Sequence, residues 1–84
     1  MYLVYVIKNS KGQTYIGQTF DIQKRLARHN SILPSKISSF TKNKGPWHVV
    51  YTEGFNTRRE AKQREGYLKS SVGRRFLKSI LAQR

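Results

Sequence analysis

The opening segment constrains the fold more than any other stretch of the chain. Residues 2–8 (YLVYVIK) are β-branched and aromatic and predict a strand. Asn9-Ser10-Lys11-Gly12 reads as a turn, with Gly12 suited to a positive φ. Residues 13–18 (QTYIGQ) predict a second strand, so the chain begins with a β-hairpin. A loop of Ser10 to Gly12 sets Asn9 opposite Gln13. Ile7 then faces Tyr15, Tyr5 faces Gly17, and Tyr5 and Tyr15 become diagonal neighbours on one face. A slip of one residue would put the two phenols on opposite faces.

Helical signals follow. Asp21 is suited to cap a helix over residues 22–30, whose inward stripe is Ile22, Leu26, His29 and then Leu33. Residues 31–46 hold Pro34, Gly45, Pro46 and several Ser and Lys, and read as a mobile basic connection. Residues 47–53 (WHVVYTE) predict a third strand. Thr57-Arg58-Arg59-Glu60 has the capping-box pattern, which starts a helix running to about Ser70, with Gly73 as its breaker. A last amphipathic helix is expected to bury Phe76, Leu77, Ile80 and Leu81. The order ββαβαα predicts an α+β fold, a three-stranded antiparallel sheet flanked by helices.

At 84 residues the expectation is one domain spanning 1–84, with a limited core. There is no cysteine, which excludes disulfides and thiolate metal sites and is compatible with a cytoplasmic setting. No apolar run approaches the ~20 residues that span a bilayer. Met1 to Ile7 alternate and run into Lys8 and Asn9, unlike a secretory leader. Seventeen Lys and Arg face four Asp and Glu, for a net charge of +13. Self-repulsion on this scale points to a polyanionic partner. Nucleic acid is favoured over a membrane surface or a ribosome-like assembly. The cations are spread along the chain rather than collected in a tail, so they decorate a folded surface.

The carboxylates are few, and three have ordinary explanations. Asp21 caps a helix, Glu60 completes a capping box, and Glu53 closes a strand beside Gly54 and is expected to be solvated. Glu65 differs. Ala61, Glu65, Leu68 and Val72 fall at i, i+4, i+7 and i+11, which sets Glu65 in an inward helical stripe. An inward carboxylate needs either a cationic side chain or a divalent metal. On the first helix Arg25 and His29 lie one turn apart. Each has a plain reading, a solvated Arg and a hydrogen-bonded core His. Each also has a functional one: a guanidinium stabilises charge on a phosphate, and an imidazole moves protons. Tyr5 and Tyr15 are ordinary cross-strand packing partners, or phenols that orient a water.

Taken together these residues resemble the GIY-YIG endonucleases. The second half of that motif stands intact as Tyr15-Ile16-Gly17, while Leu3-Val4-Tyr5 keeps only the tyrosine of the first half. YIGQTFDIQKRLARHN is similar to the family's strand-to-helix segment, TRREAKQREGYLK to its acidic helix, and SVGRRFLK to small stand-alone members. The resemblance covers nearly the whole chain and rests on the ordered set Tyr5, Tyr15, Arg25, His29 and Glu65. It implies a phosphodiester hydrolase using one Mg²⁺ or Mn²⁺ ion held mainly by Glu65. It further implies that Tyr5 or Tyr15 positions or activates a water, that Arg25 stabilises the scissile phosphate, and that His29 orients or transfers a proton. Gly17 is structural, letting the chain pack closely. An Asn that some relatives carry after the acidic helix has no counterpart placed in this sequence.

Lys24, Arg28, Lys36, Lys42, Lys44, Arg58, Arg59 and Arg64 are candidates for a track along backbone phosphates, about half of them in contact. Phe40 and Trp47 are candidates for base stacking, though Trp47 at a strand start is the commoner core residue. The expected function is a DNA endonuclease, with RNA as a further substrate class and repair as the favoured process. The alternative is a non-catalytic nucleic-acid-binding module on the same fold. A monomer or weak dimer is expected, with room for a targeting protein, and no membrane partner.

Overall fold

A computed structural model describes residues 1–30 and 46–82. The order is β1 (Tyr2–Asn9), β2 (Thr14–Thr19), α1 (Ile22–His29), β3 (Trp47–Phe55), α2 (Arg58–Lys69) and α3 (Ser71–Ala82). β1 is the central strand, paired antiparallel with β2 on one side and β3 on the other. This is the α+β arrangement expected from the sequence, with β3 continuing two residues further, to Phe55. The expected basic connection, with Leu33, Lys36, Phe40, Lys42 and Lys44, lies outside the described residues. Among the described residues no helix is long and apolar enough to cross a membrane.

The hairpin register is the expected one: Ile7 faces Tyr15 and Tyr5 faces Gly17. The Asn9 side chain organises the turn. Its Oδ1 accepts from the backbone N–H of Lys11 and Gln13 at 3.1 and 2.9 Å, and Gly12 takes φ 81°. That φ is the left-handed region glycine enters without steric cost. Between β1 and β3 the register shifts at Val6/Ile7, so that Val6 faces Tyr51 and Ile7 faces Val49. Val50 is the extra residue of this bulge, and it breaks the alternation of β3: Val50 and Tyr51 both pack on the α2 and α3 side, while Val49 packs on the α1 side.

Strand alternation divides the core. Val4, Val6 and Ile16 point to one face and bury against Ala61, Leu68 and Leu77 of α2 and α3. Tyr5, Ile7 and Trp47 point to the other, where Ile22 and Leu26 of α1 cover them. Trp47 is therefore a core residue. α1 starts where Asp21 accepts from Lys24 N–H at 3.1 Å, and Thr57 caps α2 through Glu60 N–H at 3.2 Å.

Two expectations fail at the C-terminal end. Gly73 does not break α2; it lies buried inside α3. The break is at Ser70, whose extended backbone (ψ 166°) ends α2 and whose Oγ accepts from Gly73 N–H at 3.2 Å to begin α3. A side chain at 73 would collide with the Tyr67 carbonyl oxygen and come within 2.5 Å of the Leu68 Cα. Gly73 is needed because the two helices touch there. Val72 consequently leaves the α2 stripe and is exposed. Of the expected α3 core residues, Leu77 is buried while Phe76, Ile80 and Leu81 are half-buried.

Candidate active site

The hairpin register carries Tyr5 and Tyr15 to the α1 face. Opposite Tyr5 stands Gly17, and the Tyr5 ring lies across it. A methyl group at 17 would come within 2.6 Å of the Tyr5 Oη and 2.8 Å of its Cζ. Gly17 thus provides the space that directs the central-strand phenol toward the β2 edge of the sheet.

There the Tyr5 Oη makes a buried hydrogen bond of 2.7 Å to His29 Nε2. Tyr15 completes the group, its ring centroid 4.9 Å from His29 and 6.4 Å from Tyr5. Tyr5 and His29 are almost wholly buried, whereas Tyr15 is half-buried. Burial raises the Tyr5 phenol far above its usual range; Arg25 opposes the shift, and Tyr15 and Glu65 add to it. Burial, followed by the Arg25 charge, pulls the His29 imidazole down to about 4. Near pH 7 the pair is therefore a neutral phenol bonded to a neutral imidazole, with no net charge to stabilise inside the protein.

His29 is held by an unforeseen neighbour. Asn30 caps α1, its Nδ2 donates to the Trp47 carbonyl at 3.0 Å, and its Oδ1 accepts from Trp47 N–H. This amide clamp fixes the end of α1 to the start of β3. The only sequence signal for it is an Asn directly after the last helical residue.

Arg25 and His29 lie one turn apart on α1, as expected. The Arg25 side chain is half-buried, and its Nε is a buried donor with no hydrogen-bond partner among the described residues. A buried donor left unmet is costly, so an acceptor arriving there is stabilised. Glu65 approaches from α2, on the other side of the sheet. It is half-buried, close enough for its charge to act on Tyr5, and bonded to Lys69 Nζ at 2.7 Å. The charges of Arg25 and Glu65 both act on the Tyr5 phenol, from the α1 side and the α2 side of the sheet.

The pattern of the GIY-YIG catalytic domain matches residues 1–78. The chain belongs to the GIY-YIG family. It is 35% identical over 77 residues to a UPF0213 protein of Staphylococcus saprophyticus, covering 92% of this chain and 90% of that one. A UPF0213 protein of Clostridium perfringens is 35% identical over 80 residues, covering 95% and 83%. The solution NMR structure of a UPF0213 protein from Bacillus halodurans superposes with a TM-score of 0.54 at 30% identity, covering 95% of this chain and 85% of that one. GIY-YIG membership makes this a nuclease-type domain.

Glu53 departs from the expectation of a solvated carboxylate. Arg64 Nε and Nη2 fork onto its two oxygens at 2.7 and 3.0 Å, and the Tyr51 hydroxyl donates to Oε2. The Arg64 bonds hold the Glu53 carboxyl below its usual range. The same guanidinium lies over the rings of Tyr67 and Phe76 at 4.9 and 5.2 Å. Arg64 thereby ties α2 to β3 and α3, which occupies the guanidinium that the sequence offered to phosphate. Of the remaining cations, Lys24 and Arg28 are exposed on α1, while Arg58 and Arg59 are exposed at the start of α2. Arg58 also covers the Tyr2 ring at 5.6 Å. These two pairs belong to different helices, α1 and α2.

Proposed function

We propose that this GIY-YIG domain is a divalent-metal-dependent endonuclease that hydrolyses phosphodiester bonds of DNA. The observation that carries the reading is the buried Tyr5–His29 pair with the Tyr15 ring beside it, and Arg25 and Glu65 near enough for their charges to act on Tyr5. The net charge of +13 supports a polyanionic substrate.

Whether the residues present fit a metal turns on Glu65. Among the described residues no group of three or more His, Cys, Asp or Glu gathers. Mg²⁺ does not require one, since it is commonly held by one or two carboxylates together with substrate phosphate and water. Glu65 already has a cation on it, the half-exposed Lys69 ammonium at 2.7 Å, which is free to swing away when another cation arrives. The site therefore fits, with Glu65 as the holding residue. A bound Mg²⁺ or Mn²⁺ supplies charge neutralisation and a more acidic water.

The chain's own residues do the remaining work. The Arg25 guanidinium donates to a non-bridging oxygen of the scissile phosphate. Tyr15 is the phenol reached from solvent and orients the attacking water. Tyr5, buried and hard to ionise, serves His29 as a fixed hydrogen-bond partner and not as a free base. His29, kept neutral by burial and bonded to Tyr5, serves in orienting the phenols beside the attacking water.

A lone site cuts one strand, so the protein is expected to nick as a monomer and to cut both strands only as a weak dimer or in two visits. Repair is the process proposed for it, with a protein partner supplying targeting. The test is cleavage of supercoiled plasmid and a branched oligonucleotide panel with Mg²⁺ or Mn²⁺, using wild type, Glu65→Ala and Tyr15→Phe. Nicking that requires metal, and falls at least about 100-fold in both variants, supports the assignment. Intact DNA binding with no cleavage across the panel, or cleavage that survives Glu65→Ala, refutes it in favour of a binding module or a different site.

A further inference from the structure

A cleft of about 610 Å³ opens on the face of the sheet away from α1, between the hairpin and α3. It exists because α3 leans on α2 more than on the strands, reaching the sheet core through Leu77. Its floor is apolar, made by Val6, Ile16, Leu77 and Leu81. Its rim is cationic, made by Lys8 of β1, Lys69 of α2, and Arg74 and Lys78 of α3. No acidic residue lines it. The α3 contribution follows from helical spacing: Arg74, Leu77, Lys78 and Leu81 fall at i, i+3, i+4 and i+7, which gives one face two cations and two leucines. The hairpin contributes by alternation, since Val6 and Lys8 share one side of β1 and Lys8 stands across from Thr14.

This combination selects its occupant. An apolar floor with only hydrophobic contacts to offer takes a flat, weakly polar body. A rim of four cations takes phosphates. An unpaired nucleotide has both parts, whereas paired bases inside an uninterrupted duplex cannot reach the floor. The cleft also adjoins the candidate active site, because Tyr15 and Lys69 line it and Lys69 is the residue bonded to Glu65.

We infer that this cleft is a subsite for an unpaired segment of the nucleic-acid strand flanking the scissile phosphate, so that the domain selects frayed, flapped or branched DNA over continuous duplex. The inference rests on the nuclease reading for its substrate. Its test is a binding measurement that needs no cleavage.

The measurement is fluorescence anisotropy in EDTA, with a labelled duplex carrying an eight-nucleotide overhang (roughly the reach of one compact ssDNA-binding fold) and a blunt duplex of equal length. The variants are Arg74→Ala/Lys78→Ala in the cleft and Lys24→Ala/Arg28→Ala on α1. All four positions are exposed and Arg74 gives up one surface hydrogen bond, to the Lys69 carbonyl at 3.1 Å, so folding is expected to survive and is checked by circular dichroism. The expected result is that wild type prefers the overhang. The cleft variant should lose about tenfold on it with little change on blunt duplex, and the slope of log affinity against log salt should flatten by about 1.4 for two lost single-strand phosphate contacts. The α1 variant should leave that preference intact. Equal weakening of both DNAs by the cleft variant, or no weakening at all, overturns the inference. So does a cleft variant whose only change is weaker binding to vesicles of anionic lipid. A protein that never cleaves yet shows the expected pattern keeps the subsite and loses the nuclease reading, so the two fail separately.

Discussion

Replacing Gly17 with alanine should damage the site through Tyr5, without touching any charged residue. The new methyl would lie 2.6, 2.8 and 3.1 Å from the Tyr5 Oη, Cζ and Cε1. Ordinary carbon contacts are about 3.5–4.0 Å, so the ring must move by about 1 Å. Tyr5 is enclosed, and its hydroxyl is fixed to His29 Nε2 at 2.7 Å, so the movement breaks that bond. Overpacking of this kind costs about 1–3 kcal/mol. Leaving a buried hydrogen-bonding group unpaired costs about 1–3 kcal/mol more. Together they make about 2–6 kcal/mol, a large part of the roughly 4–13 kcal/mol expected of a domain this size. In a urea melt with an m-value of about 1 kcal/mol per molar, the midpoint should fall by about 2 M or more. Tyr5→Leu removes the atoms that collide, so Gly17→Ala should be far milder in that background. A midpoint shift of less than about 0.5 M in the single variant would refute the reasoning. So would strict additivity in the double variant, because touching residues must couple.

Gly73→Ala should be severe for a related reason. Its methyl meets the Tyr67 carbonyl and the Leu68 Cα, and backbone cannot swing aside as a ring can. A loss of about 3 kcal/mol would lower Tm by about 12 °C or more, read by circular dichroism. Stability should also fall with acid. The His29 value of about 4 in the folded state lies below its ordinary 6.5, so below pH 6.5 the unfolded chain takes up a proton that the folded chain resists. The loss should accumulate between pH 6.5 and 4, reach about 3 kcal/mol, and then level off for this group. Urea melts across that window should be flatter in His29→Gln. Loss of the Glu53 charge continues the decline below the ordinary carboxylate value, because its folded pKa is lowered. Arg64→Ala should cost about 1–2 kcal/mol by removing both guanidinium bonds to Glu53, yet leave DNA affinity of the folded protein unchanged. An affinity loss in anisotropy titrations at a temperature where the variant is fully folded would return Arg64 to the nucleic-acid surface.

The candidate site was legible where its geometry depends on regular spacing. Tyr5 and Tyr15 meet because a turn of fixed length sets the register, and the turn is visible in Asn9 to Gly12. Arg25 and His29 adjoin because a helix places fourth neighbours together. Glu65 differed from the other carboxylates by falling between Ala61 and Leu68, both of which are buried. The role of Glu53 is not legible in this way, because its partner Arg64 is eleven residues away, on another element. No local pattern reports such a pairing. The role of Gly73 is hidden for a similar reason. Glycine near a helix end is a common stop signal, but at this position it answers a contact between two helices.

What the sequence determined by itself, then, is everything governed by nearest neighbours along the chain: the hairpin and its register, the Asp21 and Thr57 caps, the order ββαβαα and the strongly cationic character. Tertiary structure alone decided how those elements share space. It laid the Tyr5 ring over Gly17, committed Arg64 to Glu53, clamped α1 to β3 through Asn30, and left a cationic cleft where α3 leans away from the sheet. The division has a physical cause. Dihedral preference and side-chain periodicity act over a few residues, whereas close packing is set by whichever distant surfaces the fold brings into contact.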